Sequence, residues 1–294
     1  MNRRTFIESS VAAAMLTSTS SPLWAAATHH IDLVGLQLYT VRKLMEQDFD
    51  GTIAGVAQIG YKEVEFAGYY KKSPQEVRAA LDKNGLTSPS AHHPIEALEK
   101  NLSAITDGAQ VIGQKFIVCP YLDAKSRTAE GYKNFAEALN KAGEGTQKAG
   151  IQFAYHNHSF EFEKTDGLGG KLPYDFLLAQ TDPKLVKMEM DLCWMTVAGQ
   201  DPVAYFDKHP GRFPLVHVKD WTKEGAGPAQ DYAGAVGHPV EGHLANVGSG
   251  SIDWKRIFAQ SGKAGIQHYF VENDDAKSLD DPRASYEYLA KLQF

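Results

Sequence analysis

The histidines and carboxylates that could perform chemistry in this chain lie where short apolar runs end. Eleven histidines occur among the 294 residues, and several form i, i+2 pairs with another ionisable residue. Residues i and i+2 of a β-strand face the same side, so each pair presents two functional groups together. Imidazole and carboxylate groups suit Mn²⁺, Zn²⁺, Co²⁺ or Mg²⁺, whereas two cysteines are too few for a four-sulfur site. The residues concerned are His156, His158, Asp191, His217, Lys219 and Glu272.

Eight apolar runs, each followed by a helical pattern, would position these residues. Their spacing of roughly 25–50 residues leaves room for one crossover helix after each strand. The helical pattern is clearest over Pro74–Leu81 and Tyr132–Ala142, where apolar residues recur at three-and-four spacing. The predicted strands are Leu33–Leu38, Glu63–Phe66, Thr87–Ala91, Phe116–Cys119, Ile151–Tyr155, Val186–Met190, Leu215–Val218 and His268–Val271.

Glycines mark the ends of the predicted helices. Positions 60, 85, 113, 150 and 265 are glycine and stand just before predicted strands, where a helix ends in a left-handed cap. Eight strand–helix units predict a closed (β/α)₈ TIM barrel, for which about 250 residues is typical. A doubly wound open sheet is disfavoured, because no glycine-rich phosphate loop follows the first predicted strand.

The carboxyl ends of the last four predicted strands point to one site. Catalytic groups of a TIM barrel stand at these ends. If the second-last position of each strand segment faces the barrel axis, two imidazoles and two carboxylates converge. Such groups are costly to bury unless they are paired or bound to metal. We therefore predict a divalent metal site, with Mn²⁺ or Zn²⁺ favoured over Mg²⁺ or Co²⁺, formed by His156, Asp191, His217 and Glu272.

The first 27 residues have the layout of an export signal. Arg3 and Arg4 precede Thr5-Phe6-Ile7, a weakly apolar run follows, and Ala25–Ala27 supply the small residues of a cleavage site. We expect a twin-arginine signal and a periplasmic location, with a general secretory signal or an amphipathic helix as alternatives. The remaining residues, 28–294, form one predicted domain. No apolar run of about 18 residues occurs there, so we expect no membrane contact after cleavage.

Composition restricts the remaining possibilities. The net charge of −6 disfavours nucleic acid as a partner. Cys119 and Cys193 fall on separate predicted strands and are expected to be buried, unpaired thiols.

The Gly-, Pro- and Ala-rich stretch Thr222–Gly250 is predicted to form a wall or lid of the site, with a disordered surface insertion as the alternative. The composition of the chain is compatible with association into a homo-oligomer.

Four motifs stand out at Gly35–Arg42, Tyr155–Glu161, Met190–Trp194 and His217–Asp220. They resemble those of the xylose-isomerase-like barrels. These enzymes are usually described as sugar phosphate isomerases or epimerases, and they include inosose dehydratase, ketose 3-epimerases and, more distantly, endonuclease IV. The resemblance implies a metal held by one group from each of strands 5 to 8, usually Glu, Asp, His and Glu. Here His156 replaces the first glutamate, and an alternative alignment would make His158 the ligand.

The resemblance also implies a reaction, proton abstraction next to a carbonyl, with a divalent ion stabilising the enediolate. His158 would be the base, because in ketose epimerases the acid/base pair is two glutamates and only Glu272 is retained here. Lys219 or His92 would stabilise or protonate a substrate oxygen. The residues expected to position the substrate are Glu65, His92, Asn157 and Trp194.

The expected substrate is a non-phosphorylated sugar or keto-glycoside, because sugar phosphates are scarce outside the cytoplasm and no phosphate cradle is evident. An isomerase or epimerase is favoured. A lyase that cleaves 3-keto-glycosides or dehydrates a keto-inositol is the close alternative. A non-catalytic sugar-binding barrel is a third interpretation, since a fold does not by itself imply catalysis. A nuclease is disfavoured by the acidic net charge.

Overall fold

Eight parallel strands close into a barrel, which confirms the predicted TIM barrel. The computed structural model describes residues 29–224 and 241–294. Going around the barrel, the strands follow the order β1-β10-β7-β6-β5-β4-β3-β2. These strands are β1 Val34–Gln37, β2 Glu63–Phe66, β3 Thr87–His92, β4 Phe116–Cys119, β5 Gln152–His156, β6 Val186–Asp191, β7 Leu215–Val218 and β10 His268–Val271.

Helices cover the outside of the barrel. They are α1 Arg42–Gln47, α2 Phe49–Ile59, α3 Pro74–Asn84, α4 Ile95–Ile112, α5 Ala129–Lys148, α6 Pro173–Gln180, α7 Leu192–Val197, α8 Pro202–Lys208, α9 Trp254–Phe258, α10 Ser261–Ala264 and α11 Asp280–Leu289. Among the described residues, no helix is both long enough and apolar enough to span a membrane.

The two helices that the apolar pattern predicted are both present and longer than predicted. In α5 the predicted stripe, including Phe135 and Leu139, is buried, and the helix begins earlier because Thr128 accepts a hydrogen bond from the backbone N–H of Gly131. In α3 a capping box formed by Ser73 and Glu76 starts the helix. The helix ends at Gly85, whose φ of 63° lies in the left-handed region.

Three strands run one residue further than the apolar pattern predicted. The strands β3, β5 and β6 end at His92, His156 and Asp191, residues that were expected to follow them. The ladder includes these polar residues, since His156 pairs with Glu189 and Asp191 pairs with His217. Backbone pairing does not depend on the polarity of the side chain, so the apolar pattern ended too early. The polar groups are therefore carried by rigid strand ends.

The predicted loop Thr222–Gly250 is more ordered at its two ends than expected. The segment Asp220–Thr222 forms β8, which pairs antiparallel with β9 at His243–Ala245. Residues 225–240, on which most of the predicted wall or lid depends, lie outside the described residues, as does the predicted export signal at 1–27. Cys119 and Cys193 are buried free thiols, as predicted, but Cys193 lies in α7 and not on a strand.

The carboxylate of Asp220 fastens the chain where it returns from this segment. Asp220 is fully buried. Its two oxygens accept hydrogen bonds from the backbone N–H groups of Trp221, Gly248 and Ile252 and from the indole N–H of Trp254. A buried donor that loses its acceptor costs about 1–3 kcal/mol. One side chain thus holds β8 against the chain that leads into α9.

We expect Asp220→Ala to lower the free energy of unfolding by about 3 kcal/mol, because several buried donors lose their acceptor at once. Urea unfolding followed by circular dichroism measures this change. Asp107→Ala, which removes an exposed aspartate of α4, is the control and should change stability by less than about 0.5 kcal/mol. Equal effects of the two substitutions would mean that Asp220 does not fasten this segment.

Candidate metal centre

The structure brings the four predicted ligands together in the barrel mouth. His156 and Asp191 end β5 and β6, His217 lies in β7, and Glu272 directly follows β10. One donor atom from each lies within 4.8 Å of the others, and all four side chains are buried. The Nδ1 atom of His217 is 2.6 Å from Oε2 of Glu272, and Nε2 of His156 is 3.9 Å from Oδ2 of Asp191. The alternation of residues along each strand therefore predicted the correct set of neighbours.

The surroundings of the Asp191 carboxylate indicate that a cation would fit among the four predicted ligands. Its Oδ1 accepts a hydrogen bond from the backbone N–H of Trp194, whereas its buried Oδ2 makes no regular hydrogen bond among the described residues and faces, at 3.2 Å, the ammonium of Lys219, which two other carboxylates share. Burial raises the pKa of Asp191 to about 6, against the opposing effects of Lys219 and His217. A buried anion that the protein compensates incompletely is stabilised by a bound ion. Mixed imidazole and carboxylate donors suit a divalent metal, whose identity these contacts leave open.

A second group of ionisable residues lies against the first. It contains His92, His156, Glu189 and His217, whose donor atoms also lie within 4.8 Å of one another. Oε2 of Glu189 is 2.8 Å from Nε2 of His92 and 3.2 Å from Nε2 of His217. Glu189 was not predicted as a site residue. Its position two residues before Asp191, on the same face of β6, is the sequence signal that identifies it.

Lys219 is a buried cation surrounded by carboxylates. Its Nζ is 2.8 Å from Glu272, 3.1 Å from Asp274 and 3.2 Å from Asp191. Burial would lower the pKa of Lys219, but these carboxylates outweigh it and hold the pKa well above the ordinary value. The ammonium also lies 5.3 Å from the centre of the Trp194 ring. Lys219 is thus a fixed positive charge beside the predicted metal ligands.

The histidines of the site divide into two electrostatic classes. Burial would lower the pKa of His92 and of His217, but neighbouring carboxylates raise the first to about 9 and hold the second well above its ordinary value. Burial holds the pKa values of His156 and His158 well below the usual range, with nearby cationic groups adding to the effect. A neutral imidazole is the form that binds a metal or accepts a proton, so a metal ion bound by His217 would displace its extra proton.

A cavity of about 530 Å³ opens above these residues. Of the predicted substrate-binding residues, His92 and Trp194 line it, whereas Glu65 and Asn157 are buried outside the lining. Glu65 accepts a hydrogen bond from Gln37 Nε2, and Asn157 accepts one from the backbone N–H of Asp191. Both residues therefore support other residues through hydrogen bonds and do not line the cavity.

Several cavity residues escaped the sequence analysis. The lining also contains Tyr39, Arg42, Tyr121, Asp274 and Asp275. Two of them, Tyr39 and Arg42, belong to the motif Gly35–Arg42, which begins within β1 and was the available signal. The others lie in loops, whose direction the sequence pattern leaves undetermined.

Comparison with known proteins agrees with this geometry. The model of the xylose isomerase-like TIM barrel family matches residues 53–292. The chain belongs to this family. Inosose dehydratase from Lacticaseibacillus casei is 24% identical, with 79% of this chain and 85% of that protein covered. Inosose dehydratase from Clostridium beijerinckii is 27% identical, with 84% of this chain and 88% of that protein covered. A sugar phosphate isomerase/epimerase structure from Parabacteroides distasonis is 26% identical, with a TM-score of 0.72 and coverage of 91% and 96%.

In this xylose isomerase-like barrel, the loop after β5 is held by a buried carboxyl group. Glu161 is fully buried, accepts a hydrogen bond from the backbone N–H of His158 at 2.9 Å, and accepts another from the hydroxyl of Tyr155. Burial raises the pKa of Glu161 to about 7, although these hydrogen bonds oppose the shift. Glu161 therefore binds a proton in the folded chain at pH values where the unfolded chain has lost it.

This difference predicts that Glu161 makes the protein less stable as pH rises from about 4.5 to 7, because the unfolded state releases the proton first. Glu161→Gln has no proton to release. The stability of this variant relative to the wild type should increase by about 2–3 kcal/mol between pH 4.5 and pH 7.5. Urea unfolding at both pH values measures the change, and Glu99→Gln, at an exposed position of α4, is the control. A pH-independent difference would contradict this prediction.

Proposed function

We propose that this protein is a divalent-metal-dependent isomerase or epimerase that removes a proton next to the carbonyl of a non-phosphorylated sugar or keto-sugar. The observation that carries the proposal is the set His156, Asp191, His217 and Glu272, of which His156 and Glu272 line the cavity and the other two are buried. These four residues would hold Mn²⁺ or Zn²⁺, with Mg²⁺ and Co²⁺ as alternatives. When bound, the ion supplies a Lewis acid for substrate oxygens.

His158 is the residue best placed to take the proton. It lines the cavity, and its Nδ1 makes no hydrogen bond among the described residues. The ring is held between the edge-on ring of Tyr121 and the stacked ring of Phe160, with centroids 5.4 and 5.6 Å away. An imidazole that is held rigidly, and whose ring nitrogen accepts no hydrogen bond from the described residues, suits general base catalysis.

Lys219 and Trp194 complete the proposed machinery. The ammonium of Lys219 lines the cavity and would donate a hydrogen bond to the substrate oxygen on which negative charge develops. Glu272, next to it, would exchange a proton with the sugar. Trp194 also lines the cavity and offers an aromatic face for the sugar ring.

The charges around the cavity support a substrate without a phosphate group. Lys219 is already engaged by three carboxylates. Arg42 donates to the backbone carbonyls of Tyr39 and Asp274, and the side chains of Asp274 and Asp275 add negative charge to the lining. A phosphate dianion would be repelled by these carboxylates.

A lyase is the second candidate function. The inosose dehydratase relatives favour it, and so does the presence of His156 where the resemblance implies a glutamate, because it leaves Glu272 without a carboxylate partner for a two-glutamate mechanism. The first step would be the same proton removal, followed by loss of an oxygen substituent from the neighbouring carbon. Dehydration of a keto-inositol and cleavage of a 3-keto-glycoside both have this form.

The predicted twin-arginine signal and acidic composition extend the proposal to location and partners. We propose an exported, periplasmic enzyme that acts on a small-molecule sugar or keto-glycoside and binds neither nucleic acid nor membrane. Its state of association stays open. A measured content of about one metal ion per chain would favour a sugar enzyme, whereas three would favour a nuclease.

His156→Ala is expected to abolish metal binding, because it removes a ligand, and His158→Ala to retain the metal while turnover falls about 10²–10⁴-fold. Metal content by mass spectrometry, together with turnover of keto-glycosides and free ketoses, distinguishes the two variants. The opposite pattern would make His158 the ligand. If no candidate sugar exchanges a carbon-bound proton with solvent deuterium in the metal-loaded wild type, the protein is a sugar-binding barrel.

A further inference from the structure

One oxygen atom beneath the proposed metal centre faces three imidazole rings. Oε2 of Glu189 is 2.8 Å from Nε2 of His92, 3.2 Å from Nε2 of His217 and 3.3 Å from Nδ1 of His156. Glu189 is fully buried, is not part of the cavity lining, and leaves its other oxygen without a hydrogen bond among the described residues. A carboxylate in this position requires a role that does not involve contact with substrate.

Each of the two histidines proposed as ligands has one nitrogen toward the metal centre and the other toward a deeper carboxylate. For His217, Nδ1 is 2.6 Å from Glu272 and Nε2 is 2.7 Å from Glu65. For His156, Nε2 is directed to Asp191 and Nδ1 to Glu189. A carboxylate behind a ligating histidine fixes which ring nitrogen carries the proton and how the ring is turned.

Within the described part of the chain, the Nδ1 atom of His156 has no alternative partner. It is buried and makes no regular hydrogen bond among the described residues, and the oxygen of Glu189 at 3.3 Å is within reach. If Nδ1 carried a lone pair instead of a proton, two electron-rich atoms would face each other in a desolvated site. A proton on Nδ1 removes this repulsion and leaves the lone pair on Nε2, the nitrogen that faces Asp191.

The strand register holds Glu189 in this place. His156 and Glu189 are direct neighbours in the pairing of β5 with β6. Because both residues lie on strands of the closed barrel, their relation cannot change without a shift of the ladder. His92 and Glu65, 3.2 Å apart, close the same network from β3 and β2.

We propose that Glu189 is a positioning residue that accepts the Nδ1 proton of His156 and thereby directs Nε2 of His156 to the metal ion. This inference rests on the proposed function, since it assumes that His156 is a ligand. It assigns to Glu189 a share of the metal affinity without any contact with the ion or with the substrate. Loss of such a carboxylate typically weakens metal binding by about 10–100-fold.

The test uses Co²⁺ as the probe, because its visible absorption reports the number and arrangement of its ligands. Co²⁺ is titrated into the metal-free wild type and into Glu189→Gln and Glu189→Leu. We expect the dissociation constant to rise by about 10-fold or more in both variants, with an altered cobalt spectrum. Nitrogen-15 NMR of histidine-labelled, Zn²⁺-loaded protein should show the His156 proton on Nδ1 in the wild type and lose that signal in Glu189→Leu.

Glu63→Gln is the matched control. Glu63 is also a buried strand carboxylate that faces a histidine, with Oε2 2.8 Å from Nδ1 of His268, but it lies outside both groups of potential ligands. This variant should bind Co²⁺ like the wild type. Circular dichroism melting identifies any variant that fails to fold, and Glu189→Gln, which preserves the shape of the side chain, retains the test if Glu189→Leu does not fold.

Three results would overturn the proposal. Unchanged affinity and spectrum in folded Glu189→Gln would remove the positioning role while leaving the proposed metal enzyme intact. A wild type that binds two Co²⁺ ions per chain, with one lost in Glu189→Gln, would make Glu189 a ligand itself. A wild type that binds no Co²⁺, Mn²⁺ or Zn²⁺ would remove the proposed function together with this inference.

Discussion

Negative charge buried at the carboxyl end of the barrel is the constraint on which this site depends. Removing a carboxylate from water costs several kcal/mol unless cations or hydrogen-bond donors replace the lost hydration. The protein supplies the ammonium of Lys219 and the imidazoles of His92 and His217, which burial alone would make neutral but which the carboxylates keep protonated. The compensation is incomplete at Asp191. The buried carboxylates are Glu65, Glu189, Asp191 and Glu272.

The incomplete compensation connects stability to function. A cation bound among these groups would complete the balance of charge and would present its free coordination positions to the cavity. Metal binding and folding would then be coupled, since the ligands must be deprotonated and held close together for the ion to bind. The same buried charges that make the metal-free barrel costly would therefore be the ones that give an ion its affinity.

Residues two apart in a β-strand face the same side, so the buried ionisable groups of the barrel lie at two levels along the strands. Glu189 and Asp191 share one face of β6 and are two residues, or about 7 Å, apart along the strand. At the level of Asp191, the side chains of Glu272 and Lys219 line the cavity. The level of Glu189, with Glu65, is enclosed within the barrel. The proposed chemistry at the upper level would thus be supported by contacts that lie outside the cavity lining.

The other face of the same strands connects the site to the surrounding helices. Tyr155 precedes His156 in β5 and packs on Phe135 of α5, with ring centroids 5.1 Å apart. Its hydroxyl donates to Glu161, which also accepts from the backbone of His158. The position of the proposed base therefore depends on the packing of a helix as well as on the strand that carries it.

The sequence alone determined which residues are available and on which side of each strand they lie. Apolar runs and glycines located the strands and helices, and the alternation of residues predicted that His156, Asp191, His217 and Glu272 would meet. These are local properties, set by the geometry of the strand. The contacts of Glu65 with His217 and of Glu189 with His92 join residues 152 and 97 positions apart. Only closure of the barrel creates such contacts, because it brings β2 and β3 next to the side chains of β6 and β7 across the interior, and no pattern along the chain encodes that distance.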